Sequence, residues 1–343
     1  MHLTLPTRAD HCTPGASKPG RRSLAGRWGR LALTVAVSVL GAAGLAGPAA
    51  AMSHGHSTRY EFRTHDNSND LTFNQLLGIN KEGVIAGYFG SGAQGHPNQG
   101  YLLDPPYSSG SLVPENFPGS VQTQVTGLND RGVTVGFYSH QNNANLVNEN
   151  VGFYRIMGSY VPVKFPTTAN SAPPVNQLLG VNDGDIAVGF YTDSAGNSHG
   201  YEYSILGNSF REITIPGATS VTAAAINNRD EIAGFETNGG NVEGFLLRGH
   251  GDLTTLAVPG ASMTQATGVN DRDEVVGVYQ VGTGSAATMN GFTWTARDGF
   301  QTVDDPNGVG TTTVNGVNDE GQLVGFYVDS NGNTDGMLAT PRH

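Results

Sequence analysis

One phrase recurs along the chain and governs what it can fold into. Gly78-Ile79-Asn80, Gly127-Leu128-Asn129, Gly180-Val181-Asn182, Ala225-Ile226-Asn227, Gly268-Val269-Asn270 and Gly316-Val317-Asn318 stand 43 to 53 residues apart. Each is followed, two or three residues on, by a Gly or Asp. An apolar strand then ends in Gly-aromatic or Gly-Val: Gly87-Tyr88, Gly136-Phe137, Gly189-Phe190, Gly234-Phe235, Gly277-Val278 and Gly325-Phe326. Such a period marks an array of units that bury their apolar faces only against one another.

The fifth copy shows the unit most clearly. Strand patterns run over 263–267 and 274–279, a third starts at Gly291, and a fourth covers 300–303, with a turn at Asn270-Asp271-Arg272-Asp273. Asn, Asp and Gly supply the positive φ that tight hairpins need. Four strands in a unit of this length predict a propeller blade, whereas solenoid coils are usually shorter and need capping ends. The 49 glycines and only 14% charged residues suit a turn-rich β protein and exclude a helical bundle.

The chain ends argue for closure. The last unit, from Thr311, has three strands, and a candidate fourth, Tyr60-Glu61-Phe62-Arg63, precedes the first phrase. Pairing the two removes exposed edges. The expected fold is therefore all-β: a six-bladed β-propeller of four-stranded blades, its last blade closed by the N-terminal strand.

Residues 1–51 read as a signal peptide and 52–343 as the six-repeat domain. Arg21, Arg22, Arg27 and Arg30 precede the apolar run 31–46, and Ala49-Ala50-Ala51 ends it in a small-residue cleavage site. The run is shorter than the ~20 residues of a membrane-spanning helix, so no membrane span is expected in the mature chain. Arg21-Arg22 leaves both general secretory and twin-arginine export open. The expected location is extracellular. The leader holds six of the 18 Lys and Arg but one of the 29 Asp and Glu, so the exported chain is more acidic than the net −11 of the whole. An acidic surface repels phosphate backbones, which excludes nucleic acid as a partner. The one cysteine, Cys12, leaves with the leader, and no disulfide or cysteine metal framework remains.

The repeat phrase resembles that of the bacterial extracellular HAF-repeat proteins. Gly316-Val317-Asn318-Asp319-Glu320-Gly321-Gln322-Leu323-Val324-Gly325-Phe326-Tyr327 follows the family's Gly-Ile-Asn-Asp-x-Gly-x-Val-Val-Gly-x-Tyr pattern. His199-Gly200-Tyr201 stands where the family has His-Ala-Phe, and Ile215-Pro216-Gly217-Ala218 and Val258-Pro259-Gly260-Ala261 match its Pro-Gly-Ala ending. Elsewhere the His-Ala-Phe element reads Glu243-Gly244-Phe245, Asn290-Gly291-Phe292 or Asp335-Gly336-Met337, so a shared role for that His does not carry over. The resemblance spans residues 60–343 and implies export and repetition, without lending an activity.

The repeated Asn is expected to close turns, since a residue in every unit serves what every unit needs. The position five before it reads Gln75, Gln124, Gln177, Thr222, Gln265 and Thr313. On first strands beside a central channel, these six form a neutral polar ring able to hold water or one sugar, and they are the candidate ligand-binding residues. Three before the Asn stand Leu77, Thr126, Leu179, Ala224, Thr267 and Asn315, expected on the same strand face; neither position carries charge, which argues against acid/base chemistry there. The longest insertions, 91–98, 141–150 and 281–289, follow second strands. With the fourth-to-first connections they make a variable face bearing His96, His140, Tyr107, Asn142, Asn143 and Asn145.

Other motifs are discounted. Gly90 to Gly95 spells G-x-G-x-x-G but opens no helix. Asp329, Asn331, Asn333 and Asp335 form an acceptor ladder that reads as a hairpin turn, because Thr334 and Thr340 occupy the places where a calcium loop needs Gly and Glu. Cleavage after Ala51 would put His54 third in a new terminus, a speculative square-planar Cu²⁺ or Ni²⁺ site. Without catalytic motifs or an implied cofactor, the leading expectation is a monomeric secreted binding module for an extracellular glycan or protein. The alternatives are a polysaccharide hydrolase or lyase using the loop acids Asp104, Glu115 and Glu149, if they converge within about 10 Å, and a structural repeat protein of an envelope or matrix.

Overall fold

A computed structural model describes residues 59–93, 95–108, 110–140, 149–166 and 175–342. The expected signal peptide and His54 lie outside them. Apart from two single-turn 3₁₀ segments, the regular structure is all strand. No helix among the described residues is long and apolar enough to cross a membrane.

After β1 (Tyr60–Thr64), strands come in five consecutive fours and a final three. The first unit is β2 (Asn74–Ile79), β3 (Ile85–Phe89), β4 (Gln99–Leu103) and β5 (Leu112–Pro114). The second is β6 (Gln122–Leu128), β7 (Thr134–Ser139), β8 (Val151–Ile156) and β9 (Ser159–Val163). The third is β10 (Asn176–Val181), β11 (Ile186–Thr192), β12 (Ser198–Ser204) and β13 (Ser209–Glu212). β14 (Ser220–Ile226), β15 (Ile232–Asn238), β16 (Asn241–Arg248) and β17 (Asp252–Leu256) follow. Next come β18 (Met263–Val269), β19 (Val275–Val281), β20 (Thr288–Thr295) and β21 (Gly299–Val303). β22 (Thr312–Val317), β23 (Leu323–Val328) and β24 (Thr334–Pro341) end the chain.

Within each unit the strands pair antiparallel in sequence order, and β1 pairs β24 from Tyr60–Pro341 to Thr64–Met337. Four sheets have four strands each. The units β14–β17 and β18–β21 merge into one eight-stranded sheet through the single parallel pair Val242–Met263. That junction is not peculiar to them: parallel bridges Phe73–Thr334, Asn150–Val175 and Met289–Thr311 join other neighbours in the same way.

The core lies between units rather than inside one. Leu178, Val181 and Tyr201 of the third unit pack on Val133 and Val135 of the second. Similar clusters occupy the following gaps, and Val324 and Leu338 of the last unit pack on Leu76, Ile85 and Tyr101 of the first. Each sheet thus buries both faces against its neighbours, and the packing returns to its start. This is a β-propeller architecture.

The recurring glycine explains how closely the units approach. A Cβ on Gly127 would lie 2.7 Å from the Leu179 carbonyl oxygen and 3.1 Å from the Gly180 Cα; one on Gly316 would lie 2.9 Å from Leu77 O. Backbone meets backbone there, so a side chain has no place to go. The fourth copy, Ala225, carries the one methyl in the column.

Candidate functional site

Every first strand carries a β-bulge three residues before its Asn. The ladder steps from Leu76 to Gly78, Val125 to Gly127, Leu178 to Gly180, Ala223 to Ala225, Ala266 to Gly268 and Val314 to Gly316. The skipped residues Leu77, Thr126, Leu179, Ala224, Thr267 and Asn315 line a central cavity of about 80 Å³. The polar ones among them are tied down: Thr126 Oγ1 donates to Leu178 O at 2.8 Å, Thr267 Oγ1 to Val314 O at 2.7 Å, and Asn315 Nδ2 to Leu76 O at 2.9 Å.

The bulge corrects the expectation that positions five and three before the Asn share a face, because one extra residue reverses the alternation. Gln75, Gln124, Gln177, Thr222, Gln265 and Thr313 are all buried, none more than 6% exposed. Tyr88 OH donates to Gln75 Oε1 at 2.8 Å. Gln124 Nε2 donates to Asn98 Oδ1 at 2.9 Å and Gln177 Nε2 to Asn150 Oδ1 at 3.2 Å, each reaching the preceding unit. These side chains bridge elements inside the protein.

At the turn end of the channel stand two concentric rings. In the inner one, each Asn Nδ2 donates to the backbone carbonyl of the next unit's Asn: Asn80 to Asn129 at 3.3 Å, Asn129 to Asn182 at 2.9 Å, Asn182 to Asn227 at 3.1 Å, Asn227 to Asn270 at 3.0 Å, Asn270 to Asn318 at 3.0 Å. Asn318 then donates to Asn80 at 3.1 Å and closes the circuit. The amide oxygens close their own turns, as when Asn80 Oδ1 accepts Val84 N–H at 2.8 Å. Gly83, Gly132, Asp185, Asp230, Asp273 and Gly321 supply positive φ three residues on.

The outer ring is the next residue in each unit: Lys81, Asp130, Asp183, Asn228, Asp271 and Asp319. All six line the mouth, a cavity of about 80 Å³. The N–H of each is accepted by the following unit's side chain, Lys81 by Asp130 at 2.9 Å, Asp130 by Asp183 at 2.9 Å, Asp183 by Asn228 at 2.8 Å, Asn228 by Asp271 at 2.7 Å and Asp271 by Asp319 at 2.9 Å. The series stops at Asp319, whose successor around the ring, Lys81, has no acceptor to offer. Partial burial raises the Asp130 pKa, and the carboxylates of Asp183 and Glu82 add to the rise, against Lys81 N–H and its charge. The mouth therefore presents four carboxylates, one amide and one ammonium. The column stands directly after each Asn in the sequence, where each member taken singly reads as an ordinary turn residue.

The loop residues separate. His96 Nδ1 lies 3.0 Å from Asp70 Oδ2, and His140 Nδ1 3.2 Å from Gly119 O, both at the end opposite the Asn turns. Tyr107 belongs to the turn end instead, where its hydroxyl donates to Gly83 O at 2.9 Å. Asn142, Asn143 and Asn145 lie outside the described residues. Asp104, in the β4–β5 turn, stands at the turn end, whereas Glu149 precedes β8 at the other. Glu149 faces Lys164 Nζ at 3.2 Å, and Glu115, only 2% exposed, takes Thr134 Oγ1 and Arg155 as partners. The three acids do not form one group. Among the described residues, no cluster of three His, Cys, Asp or Glu is placed to hold a metal. Asp329 spends both carboxylate oxygens on N–H groups of Asn331 and Asn333, so the acceptor ladder is a closed hairpin turn.

No family model and no curated protein matches the chain. Among solved structures, it is similar to a mutant of AofleA from Arthrobotrys oligospora, with TM-score 0.48 and 12% identity over 83% of this chain and 88% of that one. It is also similar to the fucose-recognising, six-bladed lectin of Aleuria aurantia, with TM-score 0.41 and 10% identity over 67% and 78%. An ulvan lyase gives TM-score 0.42 and 13% identity over 77% of each chain.

Proposed function

We propose that the chain is exported as a six-bladed β-propeller of the HAF-repeat type and works outside the cell as a non-catalytic binding module, reading a hydroxyl-rich glycan at the mouth of its channel. The outer ring carries this reading. Its carboxylates and amide are fixed by bonds to the neighbouring unit, so they meet a ligand already oriented, with little ordering entropy left to lose. Carboxylate oxygens accept from paired hydroxyls, and charge-assisted bonds are the stronger ones. Lys81 adds a single donor that breaks the symmetry and gives a ligand one orientation. A mouth of about 80 Å³ admits a few waters or one end of a longer chain, which favours a terminal sugar residue.

Six blades are supported by the circuit of six Asn amides and by β1 completing the sheet of β22–β24. Asp104 and Glu149 stand at opposite ends of the strands, which removes that pair from the spacing that glycosidic cleavage needs. The test is a glycan array probed with the purified chain while release of product from the same glycans is followed. Retention without product is the expected result. Product release, or an array with no retained glycan, overturns the proposal.

A further inference from the structure

One hairpin occurs twice with opposite surroundings. In the third unit Asp193 gathers the N–H groups of Ala195 and Asn197, and His199 lies between Asp193 and Glu212, 3.1 Å from each. Burial pushes Asp193 upward, yet the hydrogen bonds from His199 and the loop outweigh it and hold the carboxyl at about 2. In the last unit Asp329 gathers the same loop, but Asp335 stands where His199 would be.

Two more carboxyl groups approach Asp335. Asp66, just after β1, accepts Gly336 N–H from β24 at 2.9 Å. Asp305, between β21 and β22, is 3% exposed; its Oδ1 accepts Asn307 N–H at 2.8 Å and its Oδ2 meets no hydrogen-bond partner. Asp335 pairs across the ladder with Tyr327, whose hydroxyl reaches both Asp335 and, at 2.8 Å, Thr64 of β1. Among the described residues none of the three acids forms an ion pair with Lys, Arg or His. Tyr101 faces Asp66 from β4, and Asp329 faces both Asp66 and Asp335. His65, beside Asp66, has its ring nitrogen Nε2 buried without a partner.

We propose that this seam between the chain ends is a proton-operated latch: Asp66, Asp305 and Asp335 hold the β1–β24 edge closed when protonated, and proton release loosens that edge ahead of the rest of the ring. Burial pushes Asp66 up to about 6, with Gly336 N–H opposing and Asp335 and Asp329 adding to the rise. Burial likewise raises Asp305, helped by Asp335, and Asp335, helped by Asp329. A carboxyl raised in the closed form contributes its full share below its ordinary range near pH 4 and loses it as pH climbs through about 6. His65 acts in the other direction. Burial and then Arg63 lower its pKa, so its contribution falls away as pH drops below its ordinary range. A His65→Gln variant isolates the carboxyl response.

Hydrogen exchange of the 60–66 peptide in the full chain tests the latch, read at about pH 4.5 and about pH 7.5 after correction for intrinsic exchange. The rise of Asp66 from its ordinary 3.8 to about 6 caps its share of the change in opening between these two pH values at roughly twenty-five-fold. Because Asp66 is partly open to solvent, screening reduces this, and the expected increase is a few-fold to about tenfold. Asp66→Asn keeps an acceptor for Gly336 N–H, and Asp335→Asn keeps the Tyr327 contact; each is expected to flatten the profile. The direction of the wild-type profile, opening that rises with pH, needs no variant to fold. Protection independent of pH, an equal response in β10–β13, or an unchanged response in both Asn variants overturns the proposal. Restoration of closure at neutral pH by added Ca²⁺ also overturns it, since the carboxylates would then hold a cation.

Discussion

Replacing Asn129 with Ala tests whether the inner ring bears on stability as its geometry implies. The amide is 4% exposed and makes three bonds: Oδ1 accepts Val133 N–H at 2.9 Å and Arg131 N–H at 3.0 Å, and Nδ2 donates to Asn182 O at 2.9 Å. Val133 is buried, so its N–H would be left without water, which costs about 1–3 kcal/mol. Loss of the bond to Asn182 adds about 1 kcal/mol, and the half-exposed Arg131 N–H recovers solvent at little cost. The expected destabilisation is about 2–4 kcal/mol, a large share of what holds a protein together. Urea unfolding followed by tryptophan fluorescence and circular dichroism measures it, with the denaturant slope checked for constancy. A loss under about 0.5 kcal/mol for Asn129→Ala would refute the reasoning, because surface substitutions give as much.

Three further outcomes follow from the same geometry. Gly127→Ala should destabilise by about 1–3 kcal/mol in the same unfolding assay, because its methyl would meet Leu179 O at 2.7 Å. Lys81→Asn should stabilise by about 0.5–1.5 kcal/mol, since it offers Asp319 N–H the acceptor that Asn228 already offers Asp183; a drop in melting temperature would contradict this. Added Ca²⁺ should leave the melting temperature unchanged through the Asp329 turn, whose carboxylate is engaged by four N–H bonds, and a shift abolished by Asp329→Asn would contradict that account.

The repeat made the strand order legible, because a turn residue with positive φ and an Asn that closes the turn must recur wherever the same hairpin recurs. The three-stranded last unit and the lone strand at Tyr60 likewise pointed to the β1–β24 pairing. The face on which Gln75, Gln124 and Gln177 sit was not legible: Gln124 reaches the preceding unit and Thr126 the following one. Strict alternation carries a side chain at i and i+2 to one face, and a bulge in every first strand breaks that rule where it mattered. Nothing in one unit's sequence announces such a bulge except the glycine that follows it, and that glycine equally marks the period. The ring of Asp130, Asp183, Asp271 and Asp319 is not legible in the sequence for a related reason. Taken singly each is an ordinary turn acid, and their convergence exists only once the ring is closed.

The most direct test of the account is the affinity of the chain for the strongest ligand from the glycan array, measured by calorimetry for the wild type, Lys81→Met and Asp319→Asn. A Val281→Ser variant, exposed at the end of β19 opposite the Asn turns, serves as the control. If the mouth reads the ligand, each mouth substitution weakens binding about tenfold or more, the loss of one charge-assisted bond at about 1.5–3 kcal/mol, while the control binds as the wild type does. Equal affinity in all four proteins would contradict the account and place the ligand elsewhere on the molecule.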